Sequence, residues 1–119
     1  YARTRPALLR VSGEDALTYA ILCLGGKGVV SVAANVARKA TVEMCESVRK
    51  GDFKNAEAVH NRYYELFKNL FIETNPIPVK TAMKKMGMLN GELRLPLCEM
   101  SSANEEKLER TLKGCKLIG

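Results

Sequence analysis

The sequence predicts an α/β unit at its start followed by a helical body, and three observations carry that prediction. Leu8 to Ser12 is a short apolar run that stops at Gly13. Glu14, Asp15 and Ala16 then open a helical register lasting to Leu24, where Gly25, Gly26, Lys27 and Gly28 form a chain-reversing stop. Val29 to Val32 follows as a valine-rich run without alternation, the pattern of a strand buried on both faces in a parallel sheet. Strand, helix and strand in that order make a βαβ unit. Such units place ligand-contacting groups at the carboxyl ends of their strands, so Gly13 and the exit from Val30 to Ala34 are the first places to seek a site.

The rest of the chain reads as helices. One from Ala37 to Lys50 has Val42, Met44, Cys45 and Val48 as its apolar side, and Gly51 stops it. Asp52 is an N-cap for the largest amphipathic element, which runs to Phe71 with Phe53, Ala56, Val59, Tyr63, Leu66, Phe67 and Leu70 at helical spacing. Asn75 before Pro76 reads as a cap with proline in the first turn of a shorter helix that ends at Gly87. Residues 90 to 97, with alternating leucines limited by Pro96, read as an extended strap. Ser102 to Glu105 has the spacing of a capping box and opens a last helix with Leu108, Leu112 and Cys115 on one face.

Composition narrows the classes. A chain of 119 residues with 46% hydrophobic content suits one core, and no apolar run is long enough to span a membrane. No signal-peptide pattern opens it, so a cytoplasmic protein is expected, without membrane partners. It starts at Tyr1 rather than Met, as expected of a processed end or the interior of something longer. Cys23, Cys45, Cys98 and Cys115 lie far apart, arguing against a metal site or a disulfide framework and for buried thiols. The net charge of +6 is dispersed among acids, and the chain has no Trp; a solvated surface explains it better than a nucleic-acid partner.

Three segments, SGEDALTYAILCLGGKGVVSVAANV, FIETNPIPVKTAMKKMGM and GELRLPL, resemble in order and spacing the carboxyl-terminal part of the dihydrodipicolinate synthase (4-hydroxy-tetrahydrodipicolinate synthase) family. The resemblance runs from Leu8 to the end. It implies strands seven and eight, with their helices, of a (β/α)8 TIM barrel plus a carboxyl-terminal helical extension. Residues 1–50 would then be the last two βα units and 51–119 a three-helix extension. In that family a strand-six lysine forms a Schiff base with pyruvate, and the enamine attacks aspartate semialdehyde on the route to diaminopimelate and lysine. No cofactor is implied beyond that covalent imine. A homotetramer, a dimer of dimers, is implied as the assembly.

The resemblance also assigns residues. Gly13 would border the substrate pocket, and Val30 would contact the pyruvate-derived group through its backbone carbonyl. Glu14 and Asp15 match an acidic pair that would either edge the pocket or favour their own helix dipole, the second being preferred. Leu24 and Lys27 match a region used in the weaker subunit contact. The Schiff-base lysine and the proton-relaying tyrosine belong upstream of Tyr1, so no catalytic residue is expected within this chain. Lys27 and Lys80 lack the desolvated setting a Schiff-base lysine needs. His60 reads as a surface or interface residue, and Tyr63 and Tyr64 as helix-packing residues. Tyr1 to Arg10 fits the family pattern less well, and Arg38 stands where a proline is common. An N-acetylneuraminate lyase-like aldolase and a non-catalytic, self-associating fragment are the alternatives. In the latter, the two strands would leave edges and an apolar face uncovered.

Overall fold

A computed structural model describes residues 9–119; Leu8, where the first strand was expected to begin, and the residues before it lie outside. The described chain runs β1 (Val11–Ser12), a 3-10 turn (Asp15–Leu17), α1 (Thr18–Cys23), β2 (Gly28–Val29), α2 (Ala34–Arg49), α3 (Phe53–Asn69), α4 (Ile77–Lys85) and α5 (Ser102–Gly114). The two strands pair in parallel, Val11 opposite Gly28 and Ser12 opposite Val29. Lys27 N donates to Arg10 O at 2.7 Å and Val30 N to Ser12 O at 2.8 Å, extending the ladder at both ends.

The expected βαβ order is present, with shorter elements. Pairing stops after Val29 rather than Val32, because Ser31 interrupts the valines and turns its hydroxyl to Asp15. The helix expected from Glu14 opens as a 3-10 turn, since Asp15 is buried in a tertiary contact before the α-helical ladder starts at Thr18. Its end follows the sequence: Gly25, at φ 88°, donates to Leu22 O and Gly26 N to Ile21 O, the paired bonds of a Schellman motif. Gly51, at φ 81°, closes α2 in the same way, with Gly51 N on Val48 O and Asp52 N on Ser47 O. In α2 a first turn from Ala34 precedes a kink at Ala37, the residue at which the sequence placed the helix start.

α2 and α3 form a helical hairpin, the most extensive contact between elements among the described residues. Asp52 caps α3 by accepting from Asn55 N at 3.1 Å, and Asn55 Nδ2 reaches back to Ser47 Oγ at 2.8 Å and Glu43 Oε1 at 3.1 Å. The core lies between α2, α3, α4 and α5, where Met44, Leu66, Phe67, Leu70, Leu108 and Leu112 are fully buried. Burial of each such side chain stabilises by roughly 1.5–3 kcal/mol before entropy is counted.

Two expected caps are replaced. Pro76, not Asn75, is the N-cap of α4, and no side chain caps it. Pro76 and Pro78 carry no N–H, so the first turn has few donors left to cap. At α5 the N-cap is Ser101 rather than Ser102. Glu73 takes over the capping: its Oε1 accepts from Ser101 N (3.1 Å), Ser101 Oγ (2.8 Å) and Asn104 Nδ2 (2.8 Å). The strap from Asn90 to Glu99 has no regular structure and is pinned where Lys80 Nζ donates to Glu92 O. The cysteines divide: Cys115 is buried and Cys45 half-buried, but Cys23 at the end of α1 and Cys98 in the strap are exposed, because neither segment is covered there.

The molecule measures 45 × 31 × 21 Å with a radius of gyration of 15.5 Å, above the roughly 13–14 Å of a closed domain of this length. Large apolar residues of the βαβ unit, Leu9, Val11, Leu17, Leu24 and Val30, are exposed. Among the described residues no helix is long and apolar enough to cross a membrane.

Candidate functional site at the strand ends

Parallel strands bring Gly13 and Val30 together. Each is the residue that follows its strand, and the bond from Val30 N to Ser12 O sets Val30 beside the Ser12–Gly13 link. Gly13 is exposed, and a Cβ there would meet nothing within 4 Å. Val30 is 72% exposed, on the open side of the pair. Ser12 is buried and holds the turn: its hydroxyl donates to Glu14 O at 2.7 Å and accepts from Glu14 N at 3.2 Å. Thr18 Oγ1 donates to the same carbonyl at 3.0 Å, locking the turn to α1.

The acidic pair separates. Glu14 is exposed and its side chain makes no capping bond. Asp15, in the first turn of its 3-10 helix, is 2% exposed. Its Oδ1 accepts from Ser31 Oγ, and its Oδ2 accepts from Val32 N at 3.0 Å and Ala33 N at 2.9 Å. Ser31 Oγ in turn accepts from Ala34 N at 2.9 Å. The carboxylate thus serves the amino terminus of α2, where free N–H groups and the helix dipole both favour an anion. Ser12 and Ser31 are site-positioning residues that sequence reasoning missed. Ser31, three residues ahead of Ala34, was the available signal, since serine before a helix is a capping residue.

Leu24 is 71% exposed, and Lys27 is exposed in the turn before β2, at the opposite end from Gly13 and Val30. A shallow cavity of about 230 Å³ opens beside Leu24, lined by Arg10, Leu17, Ile21, Leu24 and Gly26. Lys80 is engaged on the strap. His60 is half-buried, Tyr63 packs against the core, and Tyr64 is exposed. Among the described residues no cluster of three or more His, Cys, Asp or Glu is arranged to hold a metal ion.

A parallel pair whose strand ends converge on one open edge, backed by helices, is an arrangement that α/β barrels contain. Residues 1–115 match the model of the Dihydrodipicolinate synthetase family, and the chain belongs to that family. The match starts at residue 1, so the opening segment that fitted the pattern less well is included. The chain is 53% identical over 108 residues to the 4-hydroxy-tetrahydrodipicolinate synthase of Methanococcus vannielii, an alignment covering 91% of this chain and 37% of the relative. The dihydrodipicolinate synthase structure from Aquifex aeolicus superposes with a TM-score of 0.92 at 48% identity, covering 97% of this chain and 39% of that one. The structure from Thermotoga maritima gives 0.93 at 44% identity, over 96% and 39%. The chain therefore spans little more than a third of the length of the relatives it matches.

Proposed function

We propose that this chain is the carboxyl-terminal portion of a 4-hydroxy-tetrahydrodipicolinate synthase, and that it supplies one wall of the active site to a barrel completed by the rest of the enzyme. Its β1 and β2 are then barrel strands seven and eight, α1 and α2 their helices, and α3 to α5 the helical extension. The observation that carries this reading is the convergence of Gly13 and Val30 at one open strand end in a chain about half identical to enzymes of that name.

In this reading a lysine outside the chain condenses with the ketone of pyruvate and releases water. Loss of a methyl proton gives the enamine, whose carbon forms the new bond to the aldehyde carbon of aspartate semialdehyde. This chain holds no residue that takes part covalently. Gly13 leaves room for the bound three-carbon unit, and the carbonyl of Val30, at the same strand end, is the group assigned to contact it. Ser12, Asp15 and Ser31 fix both strand ends. The cavity beside Leu24, with the exposed Lys27 turn next to it in sequence, suits a contact between subunits of a homo-oligomer, a dimer of dimers in the full enzyme. A cytoplasmic location accords with biosynthesis from soluble precursors.

The test is borohydride trapping with pyruvate, read by intact-protein mass spectrometry. It is run on this chain alone and on this chain mixed with the remaining amino-terminal part of the Aquifex aeolicus enzyme. An adduct on the added part, with condensation activity appearing only in the mixture, is the expected result. An adduct on the 119-residue chain itself, or a mixture that never gains activity, overturns the reading.

A further inference from the structure

His60 is the sole histidine of the chain and stands where α3 meets α1. Its ring centroid lies 5.4 Å from Tyr19 on α1, and 5.3 Å from Tyr64 and 6.4 Å from Phe67 on α3. Its Nδ1 is buried and has no hydrogen-bond partner among the described residues. In the neutral ring protonated at Nε2, Nδ1 is only an acceptor without a donor. Protonation makes it a charged donor without an acceptor, the costlier of the two states.

We propose that His60 makes the α1–α3 junction a pH-sensitive joint, packed while the imidazole is neutral and loosened once it is protonated. The groups facing the ring decide the sign. From α1 comes Tyr19, whose ring lies against the imidazole. From α3 come Glu57 and Tyr64, and the Lys68 ammonium lies 5.7 Å from the Tyr64 ring. The 3-10 turn that packs on α3 carries Asp15, but its carboxylate is aimed at Ser31 and the amides of Val32 and Ala33. Glu57 favours the charged ring, but it is exposed and screened. The tyrosine faces attract a cation weakly, and Lys68 competes for one of them. Burial outweighs these and pushes the imidazole below its ordinary value.

A histidine that is harder to protonate in the packed state pulls the equilibrium toward the loosened state as pH falls below the ordinary value near 6.5. The effect grows by at most about tenfold per pH unit and levels off once the packed-state value is passed. α1 also carries Leu24 and the glycine turn into β2, so loosening reaches the strand pair.

The experiment follows the one histidine ring by NMR from about pH 8 to about pH 5, together with hydrogen-exchange protection of α1 relative to α5, in the wild type and in His60→Gln. The expected result is a ring midpoint below the ordinary value, with α1 protection falling several-fold along the same curve, and no such fall in the glutamine variant. A ring that titrates at or above the ordinary value overturns the proposal, as does α1 protection that is flat or that falls equally in His60→Gln. The wild-type titration decides even where the variant does not fold.

Discussion

Asp15 and Ser31, sixteen residues apart, share a hydrogen bond that ties the exit of β1 to the exit of β2. Through the same carboxylate, Val32 N and Ala33 N are satisfied at the start of α2. One buried side chain therefore sets the spacing of the two strand ends on which Gly13 and Val30 stand.

Replacing Asp15 with Ala leaves the buried Ala33 N, the part-buried Val32 N and the Ser31 hydroxyl without this acceptor. Each unsatisfied group costs about 1–3 kcal/mol, offset in part by water entering. The expected loss is about 2–4 kcal/mol in urea unfolding, while Glu14→Ala, at an exposed and unbonded neighbour, stays within about 0.5 kcal/mol. Equal losses for the two variants would show that the Asp15 contacts do not hold the strand ends.

The α4–α5 contact makes a different, pH-dependent prediction. Lys85 lies 2.9 Å from both Glu105 and Glu109, and Lys113 2.9 Å from Glu109. Lys85 first and Lys113 second hold the Glu109 carboxyl down at about 2. A depressed carboxyl contributes stability above its unfolded value near 4.3, and that contribution is lost as pH falls from there toward 2. Lys85→Met should lower the urea midpoint at about pH 6, with the gap to wild type closing as the carboxyls protonate and narrowing in high salt. A gap that stays constant down to about pH 2 would assign the loss to packing of the lysine stem instead.

What the sequence made legible was local. The stripe through Ala56, Val59, Leu66, Phe67 and Leu70, the cap at Asp52 and the glycine stops at Gly25 and Gly51 follow from period and backbone conformation, and each is found where those rules place it. The strand order and the convergence of Gly13 with Val30 follow from the βαβ pattern. What stayed hidden depends on partners far along the chain. Asp15 reads as a first-turn acid until Ser31 is beside it. Glu73 reads as a loop residue until Ser101 and Asn104 turn to it, and the partner of His60, read as a surface or interface residue, is unnamed until Tyr19 stands against it. The short strands have the same origin, since strand length depends on neighbours and among the described residues each strand pairs with one neighbour.

Leu24 tests the proposed subunit contact. It is among the most exposed large apolar residues and borders the cavity with Leu17 and Ile21. A contiguous apolar patch of this kind favours association, and a charge in its centre opposes it. Leu24→Glu should shift the sedimentation profile toward smaller species while leaving the unfolding midpoint nearly unchanged, because the side chain makes little contact within its own chain. An unchanged profile at the same concentration would remove this face from the assembly.

Two glycines separate folding from function. At Gly26 an added Cβ would lie 2.7 Å from Ile21 O and 2.7 Å from Ile21 Cγ2, inside the Schellman turn that aims the chain into β2. Since the backbone oxygen cannot yield, Gly26→Ala should cost about 1–3 kcal/mol and weaken strand pairing. At Gly13 the same methyl meets open space within this chain, so Gly13→Ala should leave stability unchanged or raise it by up to about 1 kcal/mol through the unfolded state. In the completed barrel that space is where the proposed three-carbon substrate lies. There Gly13→Ala should lower kcat/KM for pyruvate by tenfold or more, at about 1.4 kcal/mol per decade. Retained stability with lost activity is the signature of a pocket wall. Full activity in Gly13→Ala would move the substrate away from this strand end, and with it the role assigned to Val30.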